Sequence, residues 1–457
     1  MPATARGGGL DLAGRSVLVV GLGASGRAAV EALVEAGARV RASEVRTRAD
    51  VAAGVEAAES LGAEVLTGGH AAEHLRGIDL VVVSPGVPEH ADVLRWAGNR
   101  GVPILSEIDV GARLADAPYV AVTGTNGKTT TTELVAAAMR AGGLGAVACG
   151  NAGHPFSRAA REGHDALAVE VSSFQLRFHE SLRPRVSVLL NLAEDHLDWH
   201  GGFEAYRDAK ARIFALQGPG DVHVGNRDDA RAAEVSRRAP ARLVWTTLGA
   251  PGEHEVGYEG PELVARIDGE RRLGTPAQAA PAFLADAAAA AAASLAFGVP
   301  ADAVAETLRS FVPLPHRGSV VAEAGGVRFV DDSKATNPHA ALGSIAGWEG
   351  AVLIAGGLAK GVDLSPLAGA ADRLRGVVAI GEAAPVLAEL FDGRVPFARA
   401  GSIEEAVRTA HAMAPPGGVV LLAPACASQD MFRDYRERGE RFAATAARLA
   451  SDEGSRG

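Results

Sequence analysis

The sequence predicts an α/β protein of two or three domains built on parallel sheets. Short, continuous runs of β-branched and other apolar residues recur along the chain with helical segments between them, which is the pattern of buried parallel strands. The chain has 457 residues, whereas a typical domain has about 150. Its 56 glycines and 23 prolines are spread between the apolar runs as turn signals.

Ten strands are predicted, six before and four after a less regular stretch. The first six runs are Ser16 to Val20, Arg39 to Ala42, Leu80 to Ser84, Tyr119 to Thr123, Ala166 to Val171 and Val186 to Asn191. The stretch Thr247 to Thr275 predicts hairpins or excursion loops. The last four runs are Val327 to Val330, Ala351 to Ala355, Val377 to Ile380 and Val419 to Ala423.

The alanine-rich run Phe283 to Phe297 predicts a packing helix. It contains Asp286, is followed by Asp302 and falls short of the roughly 20 residues that span a bilayer. The N-terminal stretch around Arg6 has no continuous apolar segment of the kind found in export signals. We therefore expect neither a membrane span nor an export signal.

The composition excludes several classes of protein. A hydrophobic fraction of 47% and a charged fraction of 22% suit soluble globular domains. The formal charge of -10 argues against a chain that wraps nucleic acid or docks on an anionic membrane. The two cysteines, Cys149 and Cys426, are far apart, which disfavours a disulfide framework or thiolate zinc site and suits a reducing cytoplasm.

The first motif is a glycine-rich turn, Gly21 to Gly26 (GLGASG), between a predicted strand and a helix through Arg27 to Glu35. Glycines let the backbone approach a ligand, and the free N–H groups of the helix N-terminus attract a diphosphate. Glu44 ends the next strand, where a ribose-binding acid is expected. The residues leave three readings open: an NAD site, a site for another nucleoside diphosphate, or a structural turn.

The second motif, Gly124-Thr125-Asn126-Gly127-Lys128-Thr129-Thr130, directly follows the predicted strand that ends at Thr123. A Gly-Lys-Thr sequence at a strand-to-helix junction surrounds phosphates with backbone amides and a lysine, and places a hydroxyl to hold Mg²⁺. ATP is the natural ligand. The spacing is shorter than GxxxxGK[ST], since Val122 lies six residues before Lys128.

Further polar groups follow predicted strands. Glu170 ends one apolar run, and Asp195-His196 follows the next, so acids and a histidine are expected at the carboxyl edge where a Mg²⁺ would lie. In the last third, Asp331 to Asn337 suits phosphate, metal or ribose. Gly356 to Gly361, with Lys360, and Pro424 to Asp430, expected at a helix N-terminus, are candidate anion pockets.

Together these residues resemble the Mur ligases of peptidoglycan synthesis. The resemblance rests on Thr123 to Thr130, Glu170 to Leu176 (EVSSFQL), Asn191 to Asp198 (NLAEDHLD), His316-Arg317, Asp332 to Asn337 (DSKATN) and Pro424 to Ser428 (PACAS), in order along nearly the whole chain. Within the family, the SSFQL and PACAS pairing is similar to members that add D-glutamate to UDP-N-acetylmuramoyl-L-alanine through an acyl-phosphate intermediate. This resolves the GLGASG motif in favour of a UDP-sugar.

The resemblance implies three domains. They are a Rossmann-like UDP-sugar domain at 1–106, a central P-loop ATPase-type parallel sheet at 107–312 and a Rossmann-like amino-acid domain at 313–457. It also implies two Mg²⁺ ions, ATP as co-substrate and a cytoplasmic monomer without nucleic-acid or membrane partners.

The implied site residues fall into four groups. ATP contacts are Gly124, Thr125, Asn126, Gly127, Lys128, Thr129, Thr130, Asp286, Arg317, Asp332 and Lys334. UDP-sugar contacts are Ala24, Ser25, Glu44, Arg46, Ser84, Asn151 and His196. Amino-acid contacts are Thr336, Lys360, Ser428, Gln429 and Tyr435. Metal ligands are Thr129, Glu170, His196 and Lys210 as a carbamate, and the catalytic groups are Lys128, His196 and Lys210.

One segment departs from the family pattern. The helix at Phe283 to Phe297 lacks the HNxxNA signature, and Ala282-Phe283 stand at its start. Asp286 remains as the polar side chain for the adenine edge or ribose. Two rival functions explain fewer of these residues. An NAD-dependent oxidoreductase has no use for the Gly-Lys-Thr loop, and a non-catalytic nucleotide-binding regulator does not need Lys210, Lys360 and Ser428 together.

Overall fold

The computed structural model describes residues 12–454, which form two compact units. The first comprises 12–192, 199–276 and 286–310, and the second comprises 193–198, 277–285 and 311–454. The prediction that the chain has no export signal concerns the segment around Arg6, which lies outside the described residues. Within the described part, none of the helices is both long enough and apolar enough to cross a membrane.

The first unit begins with a five-stranded parallel sheet in the order β3-β2-β1-β4-β5. Buried apolar residues cover both of its faces, as the continuous apolar runs predict. The strands are β1 Ser16–Val20, β2 Arg39–Glu44, β3 Glu64–Thr67, β4 Leu80–Val83 and β5 Ile104–Ser106, and the helices are α1 Ala24–Glu35, α2 Ala52–Ser60, α3 Asp92–Asn99 and α4 Glu107–Leu114.

The same unit continues into a nine-stranded sheet in the order β14-β13-β12-β11-β10-β9-β6-β8-β7. Seven of its strands are parallel neighbours, and β13 and β14 add an antiparallel meander that confirms the hairpins expected after Thr247. The strands are β6 Tyr119–Thr123, β7 Ala146–Gly150, β8 Ala166–Glu170, β9 Val186–Leu189, β10 Val222–Asn226, β11 Arg242–Thr246, β12 Glu255–Glu259, β13 Glu262–Arg266 and β14 Glu270–Gly274.

The helices in this part of the chain are α5 Lys128–Ala141, α6 Phe156–Ala159, α7 Ser173–Arg177, α8 Leu197–His200, α9 Phe203–Ala211, α10 Ala230–Ser236, α11 Pro281–Phe297 and α12 Ala301–Ser310. Helices α8 and α11 contain residues of both units. Residues 287–293 of α11 are all buried alanines, so this alanine-rich run is a packing helix, as predicted.

The second unit is built on a six-stranded sheet in the order β15-β16-β20-β17-β18-β19, parallel except for β15. Apolar clusters cover both faces. Its strands are β15 Ser319–Ala324, β16 Val327–Asp331, β17 Ala351–Gly356, β18 Leu374–Ile380, β19 Phe397–Arg399 and β20 Val419–Leu422, and its helices are α13 Pro338–Ile345, α14 Ala384–Phe391, α15 Ile403–Met413 and α16 Tyr435–Gly454.

Candidate active site

The Gly-Lys-Thr loop joins β6, which pairs with β8 and β9 inside the large sheet, to α5. Gly127 has a φ of 84° directly before the helix, a left-handed conformation that glycine adopts without steric cost. The loop therefore presents the N-terminus of a 14-residue helix at the carboxyl edge of the sheet. This is the arrangement that binds phosphate groups through backbone amides.

Asn191, which follows the neighbouring strand β9, holds the loop through hydrogen bonds. Its Oδ1 accepts from the Asn126 amide at 2.8 Å, and its Nδ2 donates to the Asn126 carbonyl at 3.1 Å. The Asn191 carbonyl also accepts from the Thr125 amide at 3.0 Å. On the other side, the Thr125 and Tyr206 hydroxyls are 2.9 Å apart.

Glu170 joins two predicted site segments through its two oxygens. The Thr129 hydroxyl donates to Oε2 at 2.7 Å, and Asn151 Nδ2 donates to Oε1 at 2.9 Å. The carboxylate is almost fully buried, with 3% of the residue exposed. A hydroxyl and a carboxylate at this separation beside a phosphate-binding loop suit Mg²⁺, which prefers oxygen ligands.

Two lysines converge on the same loop. Lys128 Nζ donates to the carbonyls of Gly124 and Thr125 at 2.9 and 2.7 Å. Lys210 is 1% exposed, and its Nζ donates to the Gly124 carbonyl at 2.7 Å and lies 4.7 Å from the centre of the Tyr206 ring. Both amino groups are thus beside the loop predicted to bind ATP.

Asp286 also lies against this loop. A Cβ placed on Gly127 would overlap the Asp286 carboxylate, which is 9% exposed. The structure therefore brings Asp286 to the Gly-Lys-Thr loop. Helix α11 begins at Pro281, so Ala282 and Phe283, the residues that depart from the family signature, occupy its first turn.

In the first sheet, Glu44 braces the GLGASG turn. Its Oε2 accepts from the Leu22 amide at 2.8 Å, and Arg46 donates to both carboxylate oxygens, at 3.0 and 2.9 Å. Hydrogen bonding from Arg46 lowers the pKa of Glu44 to about 2, although burial opposes the change. The Ser84 hydroxyl donates to the Gly21 carbonyl at 3.0 Å.

These contacts gather three of the predicted UDP-sugar residues, Glu44, Arg46 and Ser84, around the turn that carries Ala24 and Ser25. Ala24 is the first residue of α1, and Gly26 is packed so closely that a Cβ there would overlap the Gly21 carbonyl. The turn therefore requires glycine at position 26 and is stabilised by the hydrogen bond from the Leu22 amide to Glu44.

In the second unit, Arg317, Asp332 and Lys334 lie near one another at the end of β16. Burial raises the pKa of Asp332 to about 6, and the Ser344 hydroxyl and the Arg317 guanidinium oppose that rise. Lys334 Nζ is 4.1 Å from the centre of the Tyr435 ring. Predicted nucleotide and amino-acid residues therefore meet in this unit.

A fully buried arginine joins the DSKATN and PACAS segments. Arg438 donates to the Ser333 hydroxyl and carbonyl at 3.0 and 2.8 Å, and to the Cys426 carbonyl at 3.2 Å. The Ser333 hydroxyl donates in turn to the Tyr435 carbonyl at 2.7 Å. Burial lowers the pKa of Arg438 to about 10.

One prediction for this unit is wrong. The segment from Pro424 to Asp430 is not at a helix N-terminus, because the chain runs through turns and bends until α16 begins at Tyr435. Ala425 adopts a φ of 60°, and Leu358 and Ala427 form an isolated antiparallel bridge. The bridge joins this segment to the loop of Lys360, which itself has a φ of 51°.

The remaining predicted amino-acid residues are spread over these loops. Ser428 is 2% exposed and its carbonyl accepts from the Phe432 amide, whereas Lys360 and Gln429 are exposed. Thr336 is half-buried, one residue before the Asn337 that caps α13. His196 belongs to the second unit and has a φ of 54°, and its Nε2 lies 3.7 Å from Asp195 Oδ2. Its role as a metal ligand with Glu170 stays a prediction.

Three family models match the chain. They are the Mur ligase MurD-like N-terminal domain over 15–106, the Mur ligase middle domain over 122–259 and the Mur ligase glutamate ligase domain over 316–426. The UDP-N-acetylmuramoylalanine--D-glutamate ligase of Frankia casuarinae is 43% identical over an alignment of 447 positions, and the match covers 95% of this chain and 94% of that protein. The chain belongs to the Mur ligase family.

A second relative and a solved structure agree with this membership. A protein of Rhodococcus jostii with the same name is 43% identical over an alignment of 501 positions, and the match covers 98% of each chain. The structure of a Mur ligase family member, the MurF ligase of Thermotoga maritima in complex with ADP, matches with a TM-score of 0.58 at 18% identity and covers 83% of this chain and 91% of that one. At that identity the likeness shows the shared fold.

Sequence reasoning missed three residues that position the Mur ligase loops. The NLAEDHLD motif assigns no role to Asn191, although a polar residue at the end of a strand beside β6 is a usable signal. Tyr206 lies four residues before Lys210 and therefore on the same helix face. Arg438 gave no signal, because nothing in the sequence of a charged helix such as α16 marks one arginine as buried.

Proposed function

We propose that this protein is an ATP-dependent ligase that adds D-glutamate to UDP-N-acetylmuramoyl-L-alanine in the cytoplasmic synthesis of peptidoglycan precursors. The observation that carries the proposal is 43% identity, across nearly the whole chain, to relatives that bear the name of this ligase. The phosphate-binding loop with Glu170 and the two lysines beside it supports the ATP-dependent chemistry.

The reaction needs ATP because a carboxylate is a poor electrophile at neutral pH. Transfer of the γ-phosphoryl group to the L-alanyl carboxylate gives an acyl phosphate. The amine of D-glutamate then attacks the acyl carbon, an amide bond forms, and inorganic phosphate leaves. Both steps bring anions together, so catalysis depends on positioning and on neutralising charge.

Lys128 supplies positive charge at the loop. Its Nζ lies within hydrogen-bond distance of two loop carbonyls, which supports assigning the ammonium group to the β- and γ-phosphates of ATP. Charge-assisted hydrogen bonds to phosphate oxygens are stronger than those to neutral carbonyls. When ATP binds, the Lys128 ammonium group is therefore expected to exchange the loop carbonyls for phosphate oxygens, which are stronger acceptors.

The donor set at Glu170 fits Mg²⁺. The Thr129 hydroxyl and the Glu170 carboxylate are oxygen donors 2.7 Å apart. We assign Thr129 to one ion, and Glu170, His196 and Lys210 as a carbamate to a second. A carbamate replaces the positive charge of Lys210 by oxygen ligands, whereas the ammonium group itself binds no metal. When bound, the ions neutralise the charge that otherwise opposes phosphoryl transfer.

The other substrates are assigned to the two remaining sheets. Ala24, Ser25, Glu44, Arg46 and Ser84 serve the uridine diphosphate, while Asn151 and His196 serve the sugar-peptide end. Arg317, Asp332, Lys334 and Asp286 are each assigned to the nucleotide. Thr336, Lys360, Ser428, Gln429 and Tyr435 serve D-glutamate. We further assign the enzyme to the cytoplasm as a monomer that binds neither nucleic acid nor a membrane.

The test is a panel of amino acids assayed for phosphate release with ATP, Mg²⁺ and UDP-N-acetylmuramoyl-L-alanine. The expected result is release that requires both the UDP-sugar and D-glutamate, with L-glutamate and other amino acids far less active. Phosphate release from ATP alone, unchanged by either substrate, contradicts the proposal. A Lys128→Ala variant is expected to lose turnover, because the loop then lacks its positive charge.

A further inference from the structure

Outside the residues assigned above, the chain contains an unusual buried acid. Glu107, the first residue of α4, has no exposed surface. Its Oε1 accepts from the Ser157 amide at 2.6 Å, and its Oε2 has no hydrogen-bond partner among the described residues. Glutamates are almost never fully buried unless they are paired, so this carboxyl group needs an explanation.

The partner of Glu107 is the first turn of a short helix that packs directly on α4. Ser157 is the second residue of α6, so its amide is one of the helix N–H groups that lack an intrahelical acceptor. A Cβ on Gly111, one turn after Glu107, would lie 2.6 Å from the Phe156 ring and 2.9 Å from the Ser157 nitrogen. Packing and the carboxyl group thus fix the start of α6 at the same place.

The segment before α6 is the loop 150–154, which contains Asn151. The Gly150 amide donates to the His154 carbonyl at 2.7 Å and closes the loop. The Asn151 amide donates to the Glu170 carbonyl at 2.8 Å, and its side chain donates to Glu170 Oε1. Gly150 lies so close to β8 that a Cβ there would overlap the Glu170 carbonyl.

The other polar contacts of α6 are partly exposed. Arg158 pairs with Glu31, with side-chain exposures of 41% and 28%, and Arg161 pairs with Glu35. Exposed ion pairs of this kind are worth about 0–1 kcal/mol and weaken with salt. Apolar packing of the buried Phe156 holds the helix in the core, and the contact to Glu107 is the buried polar contact that fixes the backbone of its first turn.

We propose that Glu107 is a positioning residue for the UDP-sugar: through Ser157 it fixes α6, and thereby holds the loop 150–154 with Asn151 against Glu170. The inference rests on the proposed function, in which Asn151 serves the sugar-peptide end of the substrate. Glu107 itself touches neither substrate nor Glu170. Its loss is expected to weaken the use of one substrate, not to abolish chemistry.

The experiment compares KM values of the full-length enzyme for its three substrates. Glu107→Ala removes the acceptor, and we expect the KM for UDP-N-acetylmuramoyl-L-alanine to rise about tenfold while the KM for ATP changes less than about twofold. Glu107→Gln keeps an oxygen for the Ser157 amide, so its KM values are expected within about twofold of the wild type. If Glu107→Ala fails to fold, Glu107→Leu is measured by the same criterion.

The matched control is Asp109→Ala on the same helix. Asp109 is also fully buried, but its Oδ1 accepts from the Glu180 and Ser181 amides, which belong to a different loop, and its Oδ2 pairs with Arg113. Because Asp109→Ala removes more buried contacts, we expect a loss of thermal stability at least as large, without the selective rise in KM. Equal KM changes for all substrates in the Glu107→Ala variant, or the same selective change in Asp109→Ala, overturn the inference.

The two proposals fail in different ways. Wild-type enzyme that releases no phosphate in response to the UDP-sugar and D-glutamate contradicts the proposed function. Wild-type enzyme that turns over normally, with a Glu107→Ala variant whose KM for the UDP-sugar is unchanged, contradicts only the role of Glu107.

Discussion

Replacing Glu107 by glutamine is expected to change how the stability of the protein depends on pH. Burial raises the pKa of Glu107 from 4.5 to about 7, although the Ser157 hydroxyl and amide and His154 oppose that rise. The native state therefore binds a proton that the unfolded chain releases at lower pH. For such a group, stability is highest below the unfolded pKa and falls as the pH rises toward the folded one.

The magnitude follows from the two pKa values. One pKa unit corresponds to about 1.4 kcal/mol, so a rise from 4.5 to about 7 costs about 3 kcal/mol once the carboxyl group is ionised in both states. Part of that cost is already present at pH 5. Between pH 5 and pH 8 the wild type is expected to lose about 2 kcal/mol of unfolding free energy relative to Glu107→Gln.

The groups that face this carboxyl must be kept constant in the comparison. His154 lies on the segment before α6, and the Cys149 thiol on β7 has its pKa raised by burial and by Glu107. Both are present in the wild type and in Glu107→Gln. The comparison therefore removes one titratable group, Glu107, together with its interactions with these two residues.

The assay is urea unfolding of wild type and Glu107→Gln at pH 5 and pH 8, with the midpoint and m value fitted at each pH. Glu73→Gln, at an exposed position, controls for the loss of a carboxyl group and is expected to change stability by no more than about 0.5 kcal/mol. A stability difference between wild type and Glu107→Gln that is the same at both pH values refutes the reasoning.

Two further predictions concern two buried, positively charged side chains, Arg438 and Lys210. Arg438→Lys keeps a positive charge but loses the planar guanidinium group that reaches Ser333 and the Cys426 carbonyl. We therefore expect its KM for D-glutamate to rise at least about tenfold. Added free guanidinium is expected to restore part of the activity of Arg438→Ala and none of the activity of Arg438→Lys. Lys210→Ala is expected to lose turnover and to regain part of it with a short added carboxylate, and full activity without that carboxylate removes Lys210 from the proposed metal site.

The sequence predicted those parts of the site in which local pattern and position in the sheet coincide. Glu170 is the clearest case, because an acid at the end of an apolar run beside the phosphate-loop strand is placed by sheet geometry alone. The structure ends β8 at Glu170 and pairs this strand with β6. The Gly-Lys-Thr loop was equally readable, since strand, glycine turn and helix are contiguous in the chain.

Side chains that connect distant segments could not be predicted. Arg438 reaches Ser333 across 105 positions of sequence, and Glu107 reaches Ser157 across 50. Neither residue lies in a glycine turn or at the end of an apolar run, so nothing local marks it as buried. Seven strands, β3, β5, β7, β10, β11, β15 and β19, were also missed, because each is either very short or interrupted by polar residues or glycine.

The loop 150–157 is held at both ends by buried carboxyl groups with different tasks. Glu170 uses one oxygen for Asn151 and the other for Thr129, so a single side chain fixes the loop relative to the phosphate-binding helix. At the far end, Glu107 Oε1 accepts from the Ser157 amide. In the proposed site Glu170 is a metal ligand, whereas Glu107 lies outside the residues assigned to the substrates and the metal. Changes at Glu107 are therefore expected to tune substrate positioning without altering the groups that perform the chemistry.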